Sequence, residues 1–247
     1  MFQSVRQKKI FEEILDQIKE MLANEQLVVG QKIPPETLLA EMLNVSRSSL
    51  REALRVLNVL GIIEAKTGEG TVIRHTDPEN LKNLLTLVAV SQGINTLELY
   101  EARRAIEVEA AGLAAVRRTE ENLQKMHLAL LEMDKSNNAD SSQFDYVFHR
   151  EIVNATRNNT MIMLISFISG LMGEQITDTR KQLSPYQDIM VKIQEQHWEI
   201  YKGIRDKNPE WAREKMHEHL LLAQKLLNFN PRNKKSLMQS DTTYKLQ

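Results

Sequence analysis

From residue 10 onward the apolar positions return every three or four residues, the period of a helix with one buried face. Ile10, Ile14, Ile18 and Leu22 mark a first helix. The loop around Val29, Gly30 and Gln31 ends it. Pro34 and Pro35 open a short second helix, PETLLAEML, because proline suits a first turn and Glu36 suits the positive helix end. It stops near Asn44, and Ser46 is placed to cap a third helix carrying Leu50, Ala53, Leu54 and Leu57 on one stripe as far as Gly61. Then the period changes. Ile62-Ile63 and Thr71-Val72-Ile73 are short apolar runs around a turn containing Gly68 and Gly70, the pattern of a β-hairpin. Beyond His75-Thr76-Asp77-Pro78 the helical period resumes and stays, with helices expected over about 80–92, 96–118, 120–136, 140–156, 159–181, 186–206 and 209–228. Thr96, Thr119, Asp140 and Asn208-Pro209-Glu210 mark starts.

The pattern predicts a mainly α protein: a winged helix-turn-helix over residues 1–75, an all-helical bundle of about seven helices over 76–228, and a polar, flexible tail over 229–247. Scarce glycine (9), proline (6) and aromatics (5%) agree with it. With no cysteine there is neither a disulfide framework nor a thiolate metal site. No uninterrupted run of about 18 apolar residues and no signal-peptide stretch stand out, so the expectation is a cytoplasmic protein with no membrane span.

Charge alters the picture only locally. The chain carries a net charge of -1, and residues 1–75 hold ten basic and ten acidic side chains. Yet in VSRSSLREALRVL, Arg47, Arg51 and Arg55 recur every four residues on a face away from the leucines. A recognition helix buries one side in its domain and pushes its N-terminal side chains into a major groove, so Arg47, Ser48 and Arg51 are its candidate contacts, with Arg55 a weaker one. An ordinary surface helix with glutamate partners is the alternative. The preceding short helix and following Gly-rich hairpin favour the first reading.

The bundle holds polar residues where a core asks for apolar ones. Asp145 and His149, four apart in SSQFDYVFHREIV, share a face beside Phe144, Phe148 and Ile152. His197 falls on the stripe of Ile189, Ile193, Ile200 and Ile204, and His219 on that of Ala212, Met216, Ala223 and Leu226; His217 points elsewhere. Imidazoles with a carboxylate suit a divalent transition metal, zinc first, with nickel, manganese or iron as alternatives. Separately hydrogen-bonded core histidines are the other reading.

The run from Ile33 to Glu64, IPPETLLAEMLNVSRSSLREALRVLNVLGIIE, resembles the DNA-binding domain of the GntR family of bacterial transcription regulators, and Gly68-Glu69-Gly70-Thr71-Val72 is similar to that family's wing. The resemblance implies operator contacts from Arg47 and Arg51 and a minor-groove approach at Gly70. Thr37 stands where some relatives have an arginine. Residues from about Leu97 to Ala223 resemble the ligand-sensing FCD domain of the FadR-type branch, through Glu101-Ala102-Arg103 with Glu107, Asp145, Phe148, His149, Asn158, His197, Met216 and His219. In metal-containing members the residues matching Asp145, His149, His197 and His219 bind the metal, and a small carboxylate effector takes open positions. Arg103 becomes a candidate anchor for that carboxylate, the alternative being a helix-surface ion pair with Glu107. Asn158 reads as a helix cap. The expected partners are operator double-stranded DNA, a small carboxylate and a second copy in a homodimer. A metalloenzyme activating water is the rival function.

Overall fold

The computed structural model describes residues 10–66, 70–74, 78–136 and 141–227. The expected tail, Gly68 and Asp140 lie outside them. The chain divides into two compact units between Leu85 and Thr86.

In the first unit, α1 (Ile10–Ala23), α2 (Glu36–Met42) and α3 (Arg47–Val59) precede an antiparallel hairpin of β1 (Ile63–Lys66) and β2 (Gly70–Ile73). The inner stripe of α1 buries Ile14 and Ile18, but Ile10 is 50% exposed in the first turn, so the stripe starts one turn later than its pattern suggests. α3 buries all four expected residues, Leu50, Ala53, Leu54 and Leu57. Ser46 Oγ accepts the Ser49 N–H at 3.1 Å and caps it. Asn44 before it (φ +51°) and Gly61 after it (φ +69°) take the left-handed turns that redirect the chain. Ile63 pairs with Ile73, and both enter the same core as α3.

The segment after α1 does more than end a helix. Lys32 bridges to Val72, and the N–H groups of Gly30 and Ile33 donate to Ile73 and Thr71 carbonyls, each at 2.9 Å. The free edge of β2 is thus covered by a short extended piece.

α4 (Pro78–Ser91) runs across the boundary, and the second unit carries the rest of the helical pattern: α5 (Thr96–Arg117), α6 (Glu120–Lys135), α7 (Ser141–Ala155), α8 (Asn159–Leu183), α9 (Gln187–Arg205) and α10 (Pro209–Leu226). Asn95, not Thr96, caps α5, in a reciprocal box with Glu98. Thr119 caps α6, Asn158 caps α8, and Asn208 caps α10 ahead of Pro209. Met126, Leu130, Phe148, Ile152, Met172, Ile200, Ile204 and Met216 fill the central core. A Cβ on Gly203 of α9 would meet the backbone nitrogen of Ala212 at 2.9 Å, so this glycine permits the close α9–α10 approach. α8 is long and apolar enough by composition to cross a membrane, with mean hydropathy 1.3 over its best window. Interspersed serine, glycine and threonine hid it from a search for uninterrupted apolar residues.

Candidate metal centre and nucleic-acid face

α7 supplies Asp145 and His149 one turn apart, α9 supplies His197, and α10 supplies His219. All four are buried, and one ligand atom from each lies within 4.8 Å of the others. The imidazoles cluster, with ring centroids 5.1 Å apart for His149 and His219 and 4.3 Å for His197 and His219.

Each ring also leaves a nitrogen without a hydrogen-bond partner: His149 Nε2, His197 Nε2 and His219 Nδ1. His197 Nε2 sits 3.2 Å from Asp145 Oδ1, but outside the alignment of a hydrogen bond. Three buried, unsatisfied nitrogens beside a carboxylate are costly, and a divalent cation satisfies all of them at once. The outward nitrogens support this fit. His149 Nδ1 bonds the Glu107 carboxylate, and His197 Nδ1 meets Gln194 Oε1 at 3.3 Å, the outer contacts that orient a metal-binding imidazole.

The surrounding charges form a closed network. Arg103 Nε donates to Glu107 Oε1 at 2.6 Å, and Arg180 donates to Asp145 Oδ1 at 2.5 Å and to Ser141 Oγ at 2.8 Å. Burial alone would raise the Glu107 carboxyl, but Arg103 and His149 outweigh it and hold it at about 2. Burial opposes ionisation of Asp145 as well, yet Arg180 with His197 and His149 keeps it well below the carboxylate range. Burial pushes the His197 imidazole down to about 4 against the pull of Asp145, and burial with the neighbouring histidines lowers His219 strongly. Histidines held neutral beside an ionised carboxylate are in their metal-binding protonation states. A cavity of about 40 Å³ adjoins the cluster; Tyr100, Arg103, Asp145, Thr179, Arg180 and His219 line its polar side. Ile176, Leu183, Ile193, Ala223 and Leu226 line the rest.

In the first unit, Arg47, Ser48 and Arg51 are exposed at the start of α3. Arg51 is held by Glu36, its Nη2 3.0 Å from Oε2, while Ser48 Oγ bonds Ser46 Oγ at 2.8 Å. A shallow groove beside them is lined by Thr37, Glu41, Asn44 and Arg47. Gly70 opens β2 at φ +91° with open space around it, where a side chain would be strained.

Two family models match separate parts of the chain. The gntR family of bacterial regulatory proteins matches residues 10–73, and the FCD domain matches residues 98–222, about half the chain. The chain belongs to the GntR family. This GntR-family chain is 32% identical over 212 residues to the HTH-type transcriptional regulator LutR of Bacillus subtilis, covering 84% of this chain and 96% of that protein. It is 28% identical over 218 residues to a putative L-lactate dehydrogenase operon regulatory protein of Escherichia coli, covering 86% of this chain and 84% of that one. Among solved structures, a Streptococcus agalactiae GntR aligns with a TM-score of 0.66 and 27% identity, covering 87% of this chain and 99% of that chain. The GntR-family relatives are transcriptional regulators, so the metalloenzyme reading falls away.

Sequence reasoning did not find every residue of this GntR-family site. Arg103 both lines the cavity and pairs with Glu107, and the pair is buried, so the expected surface ion pair is instead an internal one. Arg180 was missed because it reads as a cation near a helix C-terminus beside Lys181. A signal existed, since it borders the stripe of Ile165, Ile168, Met172, Ile176, Thr179 and Leu183. Glu107 entered only through resemblance. Its position among Tyr100, Arg103, Ala110 and Ala114 on one face could have flagged it.

Proposed function

We propose that this GntR-family regulator senses a small organic acid through a divalent transition-metal ion held by Asp145, His149, His197 and His219. The observation that carries the reading is the trio of partnerless imidazole nitrogens converging with a carboxylate within 4.8 Å. The metal, zinc first among candidates, supplies a Lewis-acid anchor for a carboxylate. The chain's own residues do the rest. Arg103 offers a guanidinium for the effector, Arg180 balances Asp145, and Glu107 fixes the His149 ring and the Arg103 fork together. A cavity this size takes a few water-sized groups, which favours a short acid over an acyl chain. Since one relative is named for an L-lactate dehydrogenase operon, lactate is the first acid to test.

Effector binding would favour one arrangement of two DNA-binding units over another and so change operator affinity. Arg47, Ser48 and Arg51 of α3 would contact the operator, with Gly70 at the minor groove. The regulator would act as a cytoplasmic homodimer on a two-fold operator. The test is elemental analysis with lactate calorimetry on wild type and His197→Ala/His219→Ala. One metal per chain and lactate binding in the wild type, both lost in the variant, support the reading. No metal in either protein after supplementation, or equal lactate binding by both, overturns it.

A further inference from the structure

One oxygen of Asp145 serves two neighbours at once. Oδ1 lies 3.2 Å from His197 Nε2 and 4.0 Å from His149 Nε2, two of the three partnerless imidazole nitrogens, so it is the oxygen turned toward the proposed metal. The same Oδ1 accepts an N–H from Arg180 Nη2 at 2.5 Å. Both side chains are more than nine-tenths buried, and Asp145 is the one ion-pair partner of Arg180 among the described residues. The other bond of Arg180 goes to a neutral group, Ser141 Oγ. A guanidinium this deep is costly unless a full negative charge faces it.

Arg103, the other guanidinium of the cavity, stands differently. Its Nε donates to Glu107 Oε1, and the second oxygen of Glu107 meets His149 Nδ1, the ring nitrogen on the far side from the cluster. Glu107 is not among the four ligands, so the charge of Arg103 stays compensated whatever Asp145 holds. Arg180 is compensated only while Asp145 keeps its full charge for it. Both arginines line the same cavity, together with Thr179 and Tyr100, so an anion that rebalances Arg180 has a place to sit.

We propose that Arg180 is a second anchor for the effector, one that becomes available when Asp145 commits its charge to the metal. The guanidinium then takes a short carboxylate in the cavity beside Arg103, so that α5 and α8 each contribute one arginine to it. The inference rests on the metal and organic-acid reading above. It also sets a sign. Without the Arg180 charge, a cation is gone from beside a dication in a low-dielectric site, and Asp145 has only the metal to neutralise it, so metal affinity rises. Loss of the bond that orients Asp145 acts the other way. It is the smaller effect, because two cations drawing on one carboxylate oxygen repel each other at close range. A residue that merely braced the helices would lower metal affinity on removal.

The test compares full-length wild type, Arg180→Gln and Arg180→Lys, each stripped by chelator, reloaded with zinc and matched by circular dichroism. Zinc competition and lactate calorimetry at saturating zinc are the readouts. Arg180→Gln should bind zinc at least fivefold more tightly and lactate at least tenfold more weakly. Arg180→Lys keeps the charge and loses the fork, so zinc binding should match the wild type while lactate binding weakens. Zinc binding by Arg180→Gln that is unchanged or weaker, or lactate binding equal to the wild type, overturns the role of Arg180 alone. If Arg180→Gln fails to fold, Arg180→Lys decides, and lactate affinity equal to the wild type overturns the role. A wild type that takes up no zinc, or no lactate once loaded, overturns the metal and organic-acid reading and this inference with it.

Discussion

Replacing Glu107 with glutamine keeps the shape of the side chain and removes its charge, and the structure gives the consequences a size. The carboxylate is fully buried between Arg103 and His149. Hydrogen bonds to charged groups contribute about 1.5–3 kcal/mol each, and breaking a buried ion pair costs about 3–5 kcal/mol because the remaining charge stays unpaired. Glutamine keeps one acceptor for Arg103 but offers His149 a weaker partner. We therefore expect Glu107→Gln to destabilise the protein by about 3 kcal/mol in urea unfolding. Loss of the outer contact on His149, a ligand of the proposed metal, should also weaken metal affinity about 10–100-fold by calorimetric competition. Glu109→Gln is the control: its carboxylate pairs with Arg213 at a half-exposed site and should change stability by under about 1 kcal/mol. If Glu107→Gln matches the control in both measurements, the buried network does not support the site.

Arg47→Ala and Arg51→Ala should each cost about 1–3 kcal/mol in operator binding by anisotropy, and a double variant with unchanged affinity would contradict the assigned face. Leu50→Ala, at a fully buried position under the hairpin, should lower unfolding stability by about 2–5 kcal/mol, and a loss under 1 kcal/mol would show that this core repacks. Acid should destabilise the metal-free protein in a defined window. The His197 pKa falls from about 6.5 unfolded to about 4 folded, so the unfolded chain binds the extra proton between those values. Stability from this group is complete above pH 6.5 and lost as pH falls toward 4, by roughly 1.4 kcal/mol per pH unit. Unfolding curves of His197→Asn should flatten in that window, and an identical slope would reject the cause.

The long helices of the second unit were legible because each buries one stripe, so Ile189, Ile193, Ile200 and Ile204 announce the face on which His197 also lies. The caps were legible where serine, threonine or asparagine preceded a stripe, although Asn95 beside Thr96 offered two choices and only the Glu98 box decides between them. The extended piece at 30–33 was not legible. Four residues are too few to show alternation, and its pairing depends on β2, about forty residues away. Asp145, His149, His197 and His219 stood out as polar groups on apolar stripes. Arg180 and Glu107 did not, because a charged residue near a stripe edge has the same local pattern whether it is solvated or paired inside. Only the packing of α5, α7 and α8 around the cluster separates those cases.

The central claim is that the three partnerless imidazole nitrogens and Asp145 hold one metal ion, and anomalous diffraction from crystals of the purified protein tests it most directly. The account predicts a single anomalous peak per chain, at about 2.0–2.2 Å from His149, His197, His219 and an Asp145 oxygen. An anomalous map without a peak there after metal supplementation, with those nitrogens hydrogen-bonded to water or protein, would contradict it.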